Sequence, residues 1–216
     1  MNWGEIQLAS IRKMFLNTTA ISEMDLDAMR TDKKYLTYID GMPDAANEGI
    51  RILVTRGKPL LKIMNITKDY LDDSYPIEGY YTFLLPELPI GDIENPTKPI
   101  NYLEIDAVYV DGGEYYDYVV RDNNYLFIPK DILDNHSVMI SYKSYPDKIT
   151  STTLATDIID LPIDMLNILP LYMASELYKD DDIALSTYYR NQFETELENM
   201  TRPRNDMHFT SVNGWL

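Results

Sequence analysis

The periodicity of the apolar residues changes twice along the chain, and this constrains the fold more than any other feature. Up to about Lys62 the apolar positions recur at helical intervals. From there to about Thr150 they fall into short β-rich runs bounded by turn residues, and beyond Thr150 helical spacing returns. Neither helical section has enough elements to close a bundle by itself. The two ends of the chain are therefore expected to pack on each other, with the β-rich middle as an insertion. The fold class read this way is α+β. A discontinuous helical domain takes residues 1–62 and 151–200, a small antiparallel β module takes 63–150, and a tail follows at 201–216.

The first section opens on Asn2-Trp3-Gly4-Glu5, the spacing of a capping box with Asn2 as N-cap and Glu5 at N3. Trp3, Ile6, Ile11, Met14 and Phe15 supply its apolar stripe, and Asn17-Thr18-Thr19 ends it. A short helix is expected over Lys33 to Ile39, stopped by Gly41. A new one starts at Pro43-Asp44, where proline and an acid suit a first turn. Ala46, Ile50, Leu53 and Val54 form its stripe until Gly57-Lys58-Pro59 breaks it.

In the middle section strands are predicted over Leu60–Ile66, Tyr80–Leu84, Tyr102–Val110, Tyr115–Val120, Tyr125–Ile128 and Val138–Lys143. Asp111-Gly112-Gly113 reads as a hairpin turn, because glycine accepts positive φ, and Arg121-Asp122-Asn123-Asn124 joins the next pair. Leu85–Pro99, with Pro86, Pro89, Pro96 and Pro99, reads as a long loop. Eleven of the eighteen tyrosines fall between Tyr75 and Tyr145. Tyrosine pairs a large ring with a polar end, which suits both half-exposed strands and surfaces that meet other proteins.

The last section begins with a run that is apolar nearly all round, Met165, Leu166, Ile168, Leu169, Leu171, Tyr172 and Met173, so a central, buried helix is expected. Pro170 inside it should kink or split that helix. Asp180-Asp181-Asp182 marks the start of a final helix carrying Leu185, Tyr189, Phe193, Leu197 and Met200, which Thr201-Arg202-Pro203 ends. The tail has no periodicity, yet it keeps Phe209, Val212, Trp215 and Leu216, residues that solvated tails seldom hold.

Chemistry is hard to build from this sequence. Histidine occurs only at His136 and His208, far apart, and there is no cysteine, so nucleophile–base pairs and thiolate metal sites have no material. The triple aspartate lacks the alternating ligand spacing of a calcium loop and reads as a helix cap. Gly112-Gly113 is a turn with no phosphate-cradling pattern, and Asp25, Asp27, Asp32, Asp40 and Asp44 are scattered about helix ends. No catalysis, cofactor or metal is expected.

Nineteen basic residues face thirty-five acidic ones, a formal charge of −16, which repels phosphate backbones. Arg12, Lys13 and Arg30 at one end, and Lys58, Lys62 and Lys68 further on, form no basic patch. No run approaches the roughly 20 apolar residues of a membrane span, and the N-terminus lacks the pattern of a signal peptide, so synthesis in a cytoplasm is expected.

The stretch Leu161–Met200, with its internal proline, acidic turn at Asp180-Asp181-Asp182 and following Ala184, Tyr188, Tyr189, Phe193 and Glu194, resembles the C-terminal helix pair of tailed-phage head–tail adaptor (connector) proteins. Ala45-Ala46-Asn47 and Gly49-Ile50 are similar to that family's first helices. Val110-Asp111-Gly112 and Leu126-Phe127-Ile128-Pro129-Lys130-Asp131 look like the β insertion of its podovirus-style versions. The resemblance implies a structural virion protein of the neck, assembled in the host cytoplasm, that forms a homo-oligomeric ring of about twelve copies beneath the portal protein. DNA would pass through the ring without specific binding, and tail or neck proteins would dock below. The C-terminal segment would grip the portal, which assigns that role here to Arg202, Arg204, Phe209, Val212, Trp215 and Leu216. The alternative class is a binding module whose Tyr-rich β section recognises a host glycan or receptor.

Overall fold

The computed structural model describes residues 1–15, 26–85 and 101–201, together with the backbone of two short strands at Pro89–Ile90 and Lys98–Pro99. The architecture is α+β. Helix α1 (Trp3–Met14) starts on the capping box: Glu5 N–H donates to Asn2 Oδ1 at 2.8 Å and Asn2 N–H donates to Glu5 Oε2 at 2.9 Å. The N–H groups of Trp3 and Gly4, which have no helical acceptor, reach the carbonyls of Asp157 and Ala155 at 2.8 Å. The start of the chain is thereby tied to the segment that precedes the last two helices.

After α2 (Leu26–Thr31), helix α3 runs from Lys33 to Ile52 as a single helix of 20 residues, continued by one π turn at Leu53–Gly57. The sequence expectation of two pieces separated at Gly41 is corrected here. Pro43 lies inside the helix, and Gly41 serves packing, since a Cβ there would stand 3.0 Å from Leu177 Cδ2. Tertiary packing overrides the local stop signals. The same holds for helix α5 (Ile163–Leu177), which remains one helix through Pro170. Its residues from Ile168 to Ser175 are all buried. A tyrosine-and-aspartate turn leads to α6 (Ile183–Thr201), which Asp182 caps by accepting from the N–H groups of Ala184 and Leu185 at 3.0 Å. Tyr189, Phe193 and Leu197 of α6 face the core, while Leu185 of the expected stripe is exposed.

Between the helices lie strands β1 (Leu60–Ile66), β2 (Tyr80–Leu84), β3 (Pro89–Ile90), β4 (Lys98–Pro99), β5 (Tyr102–Val110), β6 (Gly113–Tyr115), β7 (Val119–Arg121), β8 (Tyr125–Pro129) and β9 (Val138–Ser144). They form a four-stranded sheet in the order β1-β9-β5-β6, a three-stranded sheet β2-β8-β7 and a ribbon β3-β4, with every pairing antiparallel. The strand expected over Tyr115–Val120 is two strands in two different sheets. An unbroken β-like run conceals the crossover at residues 116–118, where the chain passes from one sheet to the other. The expected loop Leu85–Pro99 holds the ribbon. A six-residue helix, α4 (Lys130–Asn135), follows β8 and had no clear sequence signal. Asp111 (φ 50°) and Gly112 (φ 83°) make the two-residue turn between β5 and β6.

Two hydrophobic clusters result. One joins α1, α2, α3, α5 and α6, with Ile149, Ile159 and Leu161. The other lies within the β part and contains Ile66, Phe83, Val108, Leu126, Ile128, Val138, Ile140 and Tyr142. Leu60, Leu103 and Tyr145 pack on the helical cluster, so β1, β5 and the end of β9 reach it.

Candidate assembly surface

The tail residues assigned to the portal, Arg202, Arg204, Phe209, Val212, Trp215 and Leu216, lie outside the described residues, as does His208. His136 is brought against Asp111, Nδ1 to Oδ2 at 2.6 Å, and both side chains are exposed. Asp111 also accepts from Ser137 N–H at 2.9 Å, and its own N–H donates to the Ser137 carbonyl. His136 and the Ser137 N–H hold its carboxyl below the usual range. This pair closes the β5–β6 turn onto the start of β9, and no nucleophile joins it among the described contacts. The aspartates at 180–182 divide between a cap (Asp182) and a clasp, in which Tyr38 donates to Asp181 Oδ2 at 2.5 Å. That bond, with burial, pushes the Tyr38 phenol up to about 12. Among the described residues no group of three or more His, Cys, Asp or Glu could hold a metal ion, and no helix is long and apolar enough to cross a membrane.

The surface features with most to offer belong to the four-stranded sheet. Its register places Ile63, Ser141 and Ala107 in one row, and Asn65, Met139, Tyr109 and Glu114 in the next. Side chains alternate between faces, so these rows lie on the face opposite the buried Ile66, Ile140 and Val108. On that outer face Leu61 is 56% and Ile63 65% exposed, and Tyr116, just beyond β6, is 76% exposed. Polar pairs cross the same face: Lys143 binds Glu104, and Ser141 donates to Asp106 at 3.3 Å.

Both edges of this sheet are open. Strand β1 pairs only with β9 and β6 only with β5, and no backbone hydrogen bond among the described residues reaches either outer edge. Sequence reasoning found both strands but not their exposure, because an apolar run such as Leu60-Leu61-Lys62-Ile63-Met64 reads as buried. The one visible signal was Lys62, a charge in the middle of it, which here turns to Asp160 at 3.0 Å.

The helical part carries its own exposed apolar residues, Ile183 and Tyr188 on α6 and Ile158 and Ile163 at the approach to α5. A groove of about 560 Å³ runs between α1, α3 and the 150–155 segment, floored by Trp3, Ile39 and Pro43, with Arg30 and Asp40 on its walls. No known protein family matches the chain, and no curated protein matches it.

Proposed function

We propose that the protein is a structural, non-enzymatic virion component, a head–tail adaptor that works as one copy in a ring beneath the portal. The observation that carries this reading is a helical core assembled from both ends of the chain around α5, with the β sheets inserted between α3 and α5. That is the arrangement implied by the resemblance of Leu161–Met200, whose residues fall on α5, the Asp180–Asp182 turn and α6. Exposed apolar side chains on both the helical and the β part also suit a subunit that has neighbours on several sides. The charge of −16 suits a duct that DNA crosses without sticking.

The test is co-expression with the portal protein of the same genome, with the affinity tag on the portal. The full-length chain is expected to co-purify, and a chain truncated after Thr201 to lose most of that association. Equal recovery of the truncated chain would remove the tail from portal binding, and recovery of neither would contradict the adaptor. A second reading, a glycan-recognising module, has the stacked Tyr75–Tyr125 pair (5.3 Å between ring centroids) and the exposed Tyr116 in its favour. It requires glycan retention by the full-length chain.

A further inference from the structure

We infer that the four-stranded sheet continues from one copy of this chain to the next, with β1 of one subunit lying antiparallel against β6 of its neighbour. The inference rests on the ring reading only for closure of the assembly; the strand contact stands on the sheet itself.

Three observations support a second copy as the occupant. The first is topological. The sheet has an even number of strands, and each neighbouring pair is antiparallel, so its two edge strands run in opposite directions. Placing β6 of one copy beside β1 of another therefore extends the same antiparallel pattern, and the contact is head-to-tail, the type that generates rings.

The second is that β1 has no edge protection. It is seven residues long and regular in register, with no proline and no bulge against β9, and its outer face carries Leu61 and Ile63. Such an edge invites another strand unless something covers it. Tyr116, directly after β6, offers a large exposed ring on the opposite edge.

The third is charge. From Gly57 to Lys68 the chain holds Lys58, Lys62 and Lys68 and no acid, whereas from Asp111 to Asp117 it holds Asp111, Glu114 and Asp117 and no base. The three lysines already bind Asp164, Asp160 and Asp134 within the chain, but all these side chains are well exposed to solvent. Exposed pairs of this kind hold weakly, leaving the lysines able to share a neighbour's carboxylates. Pairing β1 with a second β1 would instead bring like charges together.

The chain has no cysteine, which allows a clean cross-linking test on the full-length protein, alone at increasing concentration and bound to the portal. Ile63→Cys and Glu114→Cys both lie on the outer face. Under mild oxidation the double variant is expected to shift most of the chain from the monomer band into a ladder of disulfide-linked multimers, while each single variant stays monomeric. Leu61→Cys with Tyr116→Cys is the second pair, should the first fold poorly. A covalent dimer from Ile63→Cys alone would mean β1 pairs with itself and would overturn the inference. Rings in micrographs without a ladder from either pair would overturn the strand contact and leave the adaptor standing. A ladder on open fibres with no rings would support the strand contact and count against the adaptor. Neither rings nor ladder would overturn the inference.

Discussion

Tyr178 and Tyr172 sit in the same buried region and use their hydroxyls in opposite ways. Tyr178 donates to the Met14 carbonyl, and Tyr189 donates to that of Lys13. Both acceptors belong to the last turn of α1, where carbonyls have no helical donor. Tyr172 is fully buried beneath the Arg190 guanidinium, 4.6 Å from its ring centroid, and its hydroxyl has no hydrogen-bond partner among the described residues. Tyr178→Phe is therefore expected to destabilise the fold by about 1–2 kcal/mol, by leaving a buried carbonyl unpaired, whereas Tyr172→Phe should be neutral or stabilising by up to about 1 kcal/mol. Denaturant titration of the two variants against the parent checks the opposite signs. The excess of tyrosine over phenylalanine was legible in the sequence, but these particular partners were not, because the contacts join residues more than 160 positions apart.

Tyrosine also sets the alkaline limit of stability. Hydrogen bonding to Asp181 pushes Tyr38 up to about 12, and burial does the same for Tyr102 and Tyr172. Each phenol holds its proton more tightly folded than unfolded, where its value is 10.0. The stabilisation is then fully present below pH 10 and is lost as the pH rises toward 12. Tyrosinate absorbance followed against pH should show a late-titrating group of tyrosines that ionises together with loss of helical circular dichroism. Smooth titration of all tyrosines near 10, with the fold intact, would contradict this.

At the scale of elements, the α3–α5 contact decides what the helices tolerate. A Cβ at Gly49 would lie 2.7 Å from Leu169 Cδ1 and 2.8 Å from Tyr172 Cδ1. Gly49→Ala would ordinarily favour a helix by about 1 kcal/mol. Here overpacking should win and cost about 1–3 kcal/mol net, read as a lowered melting temperature. The same contact explains which elements were legible. The Asn2–Glu5 box and the Asp182 cap are local chemistry and could be read directly. Gly41, Pro43 and Pro170 carry local signals that packing overrides, so α3 and α5 came out broken in the sequence reading and whole in the structure. The switch between sheets at residues 116–118 has no local mark, since β6 and β7 share one β-like pattern.

For the whole molecule, the change of apolar period along the chain was enough to foresee an α+β fold. It could not foresee two open sheet edges, because edge status depends on which strands find no partner. The adaptor reading unites the helical core, the acidic balance and the exposed apolar surfaces in one assembly, and it makes a statement about shape. The most direct measurement is electron microscopy of the full-length chain purified with the portal protein of its genome. The account predicts a second ring stacked coaxially on the portal, with one β module per subunit on its periphery. A bare portal ring, with this chain left behind as monomer, would contradict it.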